Sequence, residues 1–373
     1  MSHRWAGVSA VRVALLLSIL GAMPVAVAAQ SRPVAPPLKL VQTIPMPQIK
    51  CRNPEQSKEQ LTQSVDTEFM PVMTCHFDRI GVDPKNGRLF VVAENDGTVE
   101  VYGIPSGKLL HSLSGFAMSH NVVYRPDTNR IYATDGSHTE GALRIYNGTT
   151  YELIKSVKML PDADSMDYDP ATHYLYFTNG GDFAKLDYTL LTVFDTDKDE
   201  RVDDIKFNTG RLEHMVMEKL GSRLFITSPN KQEVAVINRK TRAVDATWPV
   251  SGGSFCVAVD LDEADQRLFV TCRSGTLNVL DTEKGRLVVT VPIAKGTDDV
   301  LYDAGSRRVY VTSAQGFIEI LHQADPDHYE TVTKIPTGPM GKNLAFIKSL
   351  HRLYVAVPPY GNVQAKILVY SVQ

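Results

Sequence analysis

Seven times along the chain an arginine or tyrosine is followed by a branched aliphatic residue and an aromatic one. The triplets are Arg88-Leu89-Phe90, Arg130-Ile131-Tyr132, Tyr174-Leu175-Tyr176, Arg223-Leu224-Phe225, Arg267-Leu268-Phe269, Arg308-Val309-Tyr310 and Arg352-Leu353-Tyr354. Their aromatics stand 42, 44, 49, 44, 41 and 44 residues apart. A period of about 40 to 50 residues filled with strands is the signature of a propeller blade, a small sheet that buries its faces only by stacking on its neighbours. Each triplet opens a short β run, a glycine-containing turn usually comes next, as at Asp96-Gly97 and Ser274-Gly275, and an alternating third strand and a polar turn lead into a fourth. An inner strand such as Ile80 to Asp83 precedes the triplet, which makes four strands per repeat.

The last repeat stops at Gln373, one strand short, while Leu38 to Pro45 reads like the fourth strand of the other repeats, for instance Leu287 to Pro292. The expectation is an all-β, seven-bladed β-propeller with four-stranded antiparallel blades, its ring closed by the N-terminal strand pairing in the C-terminal blade so that no sheet edge is left open. A linear solenoid would not need a strand missing at one end to be supplied at the other.

Length alone, 373 residues, suggests two domains, but the repeat makes residues 30–373 one domain, with a polar insertion at 48–76. With 43% hydrophobic and 22% charged residues, the composition excludes disordered, collagen-like and disulfide-dense classes. Residues 1–29 carry Arg4 and Arg12 ahead of the apolar run Val13 to Leu20 and a small-residue stretch ending Ala26-Val27-Ala28-Ala29, the pattern of a cleavable signal peptide. A periplasmic or secreted protein is expected, a monomer, with no membrane span once the signal is removed. Loss of the two arginines takes the formal charge from -3 to -5, so nucleic acid is not an expected partner.

The repeats resemble the YVTN β-propeller family, and residues 38 to 373 resemble its YncE-like exported bacterial members. The likeness rests on Arg267-Leu268-Phe269-Val270-Thr271, on Leu280-Asp281-Thr282, and on the segments Ala163 to Asp169, Thr271-Cys272-Arg273 and Thr297 to Asp303. It implies fold and export and carries no reaction. The insertion at 48–76 departs from the usual repeat, where a short loop joins the blades.

All four cysteines lie in the exported part, and an even number there favours disulfides. Cys51 and Cys75 bracket the insertion, and Cys256 and Cys272 fall opposite each other on the first two strands of one blade. The pairs Cys51-Cys75 and Cys256-Cys272 are therefore expected.

Propellers place ligands over the central channel, where the innermost strands begin. Aligning the repeats brings together Asp78-Arg79, His120-Asn121, Asp164-Ser165, Glu213-His214, Phe255-Cys256, Asp298-Asp299 and Lys342-Asn343. Arg79, His120, Asn121, Asp164, Glu213, His214, Asp298, Asp299 and Asn343 are candidate ligand-binding residues, and Arg273, on the same rim, pairs with the acids or binds an anion. Converging carboxylates need a cation between them, so Asp164, Glu213 and Asp299 are candidate ligands for a divalent cation such as Ca²⁺. Asp83, Asp169, Asp260 and Asp303 recur at one blade position and read as hairpin residues accepting backbone hydrogen bonds.

Several apparent motifs do not hold. Asp195-Thr196-Asp197-Lys198-Asp199 begins like an EF-hand loop, but Glu200 stands where glycine is needed and Lys206 where glutamate is. Asn147-Gly148-Thr149 matches a glycosylation acceptor yet sits in a hairpin turn. The motifs of zinc proteases, serine esterases, P-loop NTPases and dinucleotide-binding dehydrogenases do not occur. The reading that remains is a binding or scaffold propeller taking a small polar ligand, metal ion or protein partner at the upper face. The alternative is a metal-dependent hydrolase or lactonase using the channel-mouth carboxylates, with His214 as a further participant.

Overall fold

The structure, a computed structural model, describes residue 1 and residues 36–51, 68–69 and 75–373. The signal-peptide reading and most of the insertion fall outside the described residues. The chain divides into the unit Met1–Pro36, of which only the two end residues are described, and the unit Pro37–Gln373.

Residues Pro37–Gln373 form seven four-stranded antiparallel sheets around a common axis, a β-propeller. In chain order the innermost strands are Ile80–Asp83, Ser119–Arg125, Met166–Asp169, Met215–Met217, Cys256–Asp262, Thr297–Asp303 and Asn343–Ile347, and they define blades 1 to 7. Blade 7 takes its outermost strand, Leu38–Pro45, from the other end of the chain, where it pairs with Lys366–Val372 from Leu38 opposite Val372 to Pro45 opposite Lys366.

The recurring triplet is explained by the second strand of each blade, which is covered on both sides. In blade 1, Leu89, Val91 and Ala93 pack with Tyr354, Ala356 and Ile367 of blade 7. Phe90 and Val92 point the other way, into a cluster with Val122, Tyr124 and Ile131 of blade 2. Alternate side chains thus reach opposite neighbours, as the two-residue strand period requires, and the aliphatic-aromatic pair fills one gap on each side. The leading arginine is held at the hairpin: Arg88 bonds Asp83 at 2.7 Å and lays its guanidinium 4.6 Å from the Tyr124 ring centre.

Hairpin aspartates cap the turn after the inner strand, as with Asp83 to Asn86 N, Asp169 to Ala171 N and Asp303 to Gly305 N. In blade 5 this residue is Asp262, which accepts from Asp265 N, and Asp260 has a different role. The segment Val259-Asp260-Leu261-Asp262 contains the apolar-Asp pattern twice, and only strand register separates the two. Asp260 stays within the strand and accepts the Tyr302 amide of blade 6 at 2.6 Å. The EF-hand-like and glycosylation-like segments are hairpin turns, with Asp195 and Asn147 each accepting two turn amides.

Both expected disulfides are present, Cys51–Cys75 and Cys256–Cys272, the second joining residues directly opposite each other on adjacent strands. Among the described residues no helix is long and apolar enough to cross a membrane.

Ring closure gives a direct prediction. Ile44 is 5% exposed in the closing strand, while Val41 on the same strand is 46% exposed. Ile44→Ala is expected to lower the unfolding free energy by about 2–4 kcal/mol and Val41→Ala by less than about 0.5 kcal/mol, read from urea denaturation. Equal effects would mean that the strand does not close the ring.

Candidate functional site at the channel mouth

Twelve residues before the seven aromatics stand Asp78, His120, Asp164, Glu213, Val257, Asp298 and Lys342, and eleven before them Arg79, Asn121, Ser165, His214, Ala258, Asp299 and Asn343. Backbone bonds make these positions equivalent. The amides of Asp78, Asp164 and Glu213 donate to Val92, Thr178 and Thr227, whose own amides donate to Arg79, Ser165 and His214. Blade 5 corrects the sequence alignment by two residues, because Ala258 pairs with Thr271 as Arg79 does with Val92. Phe255 lies in the entry loop, with left-handed backbone (φ 54°) like Asp162 and Met340 in theirs. Six of the seven blades therefore start the ring with an ionisable side chain, and blade 5 starts it with a valine.

Adjacent blades are stitched at this level. The hydroxyls of Thr134 and Thr227, on second strands, donate to the carbonyls of Asp164 and Val257 in the following blades at 2.9 and 2.6 Å, and Thr312 donates likewise to Lys342. These bonds fix the ring backbone and leave its side chains to meet at the mouth.

The side chains sort into two arcs. Across blades 6, 7 and 1, buried Asp298 is ion-paired with both Arg273 and Lys342, and Asp299 lies 3.3 Å from Arg79 while accepting the Leu344 amide at 3.2 Å. Burial works against ionised Asp298, but Lys342 and Arg273 outweigh it and hold its carboxyl well below the usual range. Buried His214 of blade 4 faces the same cations. Its burial, with Arg79, Lys342 and Arg273 nearby, holds it well below the ordinary histidine range, so it is neutral. With its amide oriented to donate, Asn343 reaches the carbonyls of Phe77 and Asp78 at 2.8 and 3.2 Å.

The arc over blades 1 to 4 is acidic. His120 Nδ1 is 3.3 Å from Asp78 and 4.0 Å from Asp164, and its Nε2 is 2.8 Å from the Gly136 carbonyl. Asp78 and Asp164 keep 17% and 24% of their side chains exposed. Burial disfavours a charged imidazole here, yet Asp164, Asp78 and Glu94 raise its pKa well above the ordinary value. Burial, reinforced by Asp78, Glu213 and Asp162, raises Asp164 in turn. Glu213 is tied to Arg211, whose guanidinium shares the Phe255 ring with that of Arg273, at 5.4 and 5.3 Å. Asn121 is turned to the backbone, bonding Val122 N and Met166 O.

The sequence candidates therefore meet at one mouth without forming one cluster. Asp164 and Glu213 share the acidic arc, whereas Asp299 is engaged by Arg79 and the Leu344 amide on the other. Arg273 forms the expected ion pair. Glu94 was not among the candidates: it lies in a 3-10 turn, Glu94–Asp96, after the second strand of blade 1, and its carboxylate reaches the ring from above. The same turn anchors the insertion, with Asp96 accepting the amides of Lys50 and Cys51 and Asn95 that of His76. Phe69 of the insertion packs with Phe255 and Val257 of blade 5, beside a 410 Å³ cleft lined by Glu68, Phe69, Asn230 and Phe255.

No protein-family model matches the chain, and no curated protein matches it in sequence. Solved structures, WD40 repeats among them, are similar to it at low sequence identity. The RRP9 WD40 repeats superpose with a TM-score of 0.68 at 11% identity over 81% of this chain and 96% of that one. Kuenenia stuttgartiensis hydrazine synthase gives 0.67 at 14% identity over 79% and 96%. At such identities the likeness is one of fold.

Two predictions follow from the arcs. Asp298→Ala leaves Arg273 and Lys342 buried without their shared carboxylate and is expected to cost about 3–5 kcal/mol, measured by chemical unfolding; a loss below about 1 kcal/mol would show that solvent reaches both cations. The second concerns pH. Burial raises Asp162, Asp167, Asp260 and Asp299 to about 6 in the fold from 3.8. Between these values the folded state binds more protons than the unfolded one, so stability increases as pH falls. Neutral His214 opposes this with one group, because only the unfolded chain protonates it there. The net expectation is a higher urea midpoint at pH 5.5 than at pH 7.5, with a smaller difference in Asp167→Asn; a midpoint that falls on acidification would contradict it.

Proposed function

We propose that this is an exported, non-catalytic binding propeller of the YVTN-like type whose channel mouth takes a small organic acid that also carries hydroxyl or amino groups. The observation that carries the reading is the placement of one accessible cation beside two accessible carboxylates. Arg79 has 22% of its side chain exposed and a single carboxylate partner at 3.3 Å, and Asp78 and Asp164 open to the same mouth. A carboxylate of the ligand pairs with the planar guanidinium, and its hydroxyl or ammonium donors meet the two aspartates. Lys342 and Arg273 are both engaged by the buried carboxylate of Asp298 and serve to hold the wall. Two disulfides and the signal-like N-terminal segment support export.

The hydrolase alternative has less support. It requires Asp164, Glu213 and Asp299 to share one ion, and Asp299 is drawn instead to Arg79 and to the Leu344 amide.

The test is thermal and chemical unfolding of chelator-treated full-chain protein with a panel of amino acids, hydroxy acids and sugar acids. A true ligand at 100 times its Kd is expected to add about 2.7 kcal/mol to the unfolding free energy. That gain should vanish in Arg79→Gln, which keeps a donor for Asp299, and shrink in Asp164→Asn. Absence of stabilisation across the panel, or stabilisation that survives both substitutions, would overturn the reading.

A further inference from the structure

The acidic arc contains a set of donors of which the organic-ligand reading uses only Asp78. Asp78, Glu94 and His120 each offer one ligand atom, and the three atoms lie within 4.8 Å of one another. They come from three places: the entry to the inner strand of blade 1, the 3-10 turn above its second strand, and the inner strand of blade 2.

Two features separate this set from an ordinary acidic cluster. The first is the orientation of His120. A carbonyl can only accept, so the 2.8 Å contact with Gly136 O keeps a proton on Nε2 and turns Nδ1 toward the carboxylates, where an incoming cation would displace the Nδ1 proton. That is the arrangement of a metal-ligating histidine, whose outer nitrogen donates to a backbone carbonyl and fixes the ring. The second is Glu94. Its residue is 7% exposed, yet among the described residues its carboxylate has no hydrogen-bond donor and no ion-pair partner. Its neighbours Asn95 and Asp96 accept amides from the insertion stem, while Glu94 is turned the other way, toward Asp78 and His120. A carboxylate this buried normally has a compensating partner.

We propose that Asp78, Glu94 and His120 bind a divalent first-row transition ion of the Zn²⁺ type, with Asp164 at its open side. Two carboxylate oxygens and one imidazole nitrogen are a three-ligand protein set of the kind that leaves a further position for water or ligand. The nitrogen donor favours Zn²⁺ over the hard, all-oxygen coordination of Ca²⁺. Asp164, 4.0 Å from Nδ1, stands where it accepts from a bound water or completes the shell. The guanidinium of Arg79 is drawn to Asp299 and leaves Asp78 free to turn to the ion. The cysteines near Asp96 are joined to each other and are not ligands. The site shares Asp78 and Asp164 with the organic-acid reading, but Glu94 and His120 belong to it alone and its test uses a metal ion with no organic ligand, so either reading can fail without the other.

The experiment uses full-chain, tag-free protein stripped with chelator and titrated with Zn²⁺ alone by calorimetry, and with Co²⁺ alone followed by its visible d–d absorption. One equivalent is expected to bind. Glu94→Gln, which keeps shape and removes charge, should weaken binding about 10-fold or more, and His120→Ala about 100-fold or more. His120→Ala should also alter the Co²⁺ spectrum by removing its nitrogen donor. Far-ultraviolet circular dichroism establishes that each variant is folded, and Asp78→Asn stands in if His120→Ala is not. Failure of folded wild-type protein to bind a stoichiometric ion would overturn the proposal. So would affinity unchanged in Glu94→Gln and Asp78→Asn, since the ion would then sit elsewhere.

Discussion

Every blade has a second strand buried on both faces, and this makes a closed ring the condition of stability. Leu89 needs blade 7 and Phe90 needs blade 2, so no blade is complete without both neighbours. An open arc would expose two apolar faces and two sheet edges. Pairing of Leu38–Pro45 with Lys366–Val372 removes that problem by making the two ends of the domain share one sheet. Steps between blades are thereby fixed within narrow limits, and the seven inner strands begin at one level around the axis. The mouth is a product of closure.

A ring of equivalent positions is an economical place to gather charge, because one side chain per blade suffices. It is also an unfavourable place to leave charge uncompensated, since the strand starts are largely buried. The protein meets this constraint differently on its two sides. Over blades 6, 7 and 1 each acid is answered by a cation, and Asp298 is held ionised by two of them. Over blades 1 to 4 the carboxylates outnumber the cations, and burial raises the proton affinity of Asp162 and Asp164. A structural network of buried ion pairs would have no need of this asymmetry. Arg79 and Asp78 fall where the two arcs meet, and with Asp164 they are the partly exposed groups on which the proposed ligand reading rests.

The fold was legible because its determinants repeat. The aliphatic-aromatic pair, its period and the missing last strand encode the blade, the count and the closure, all of them consequences of packing that recur seven times. The site was legible only in part because it resides in departures from the repeat. A strict count of twelve back from the aromatic identifies all seven ring positions, Val257 in blade 5 included, but the pull of a bulky residue beside that place moves the alignment to Phe255, which is in the entry loop. Asp260 was assigned to a hairpin for a similar reason, its apolar-Asp pattern being repeated two residues later. Glu94 was missed because it lies outside the inner strand altogether. The available signal was Glu94-Asn95-Asp96, three polar residues in a row at a second-to-third-strand turn, all buried in the structure.

That turn joins the acidic arc to the insertion. Three consecutive residues face two ways: Asn95 and Asp96 hold the backbone around Cys51 and His76, and Glu94 faces the ring. The insertion also touches blade 5 through Phe69, which packs with the same Phe255 that carries the guanidinium groups of Arg211 and Arg273. The insertion is thus fastened next to both arcs through its described residues, at the Glu94–Asp96 turn on one side and at Phe255 on the other. Its disulfide, Cys51–Cys75, constrains the stem at the first of these points.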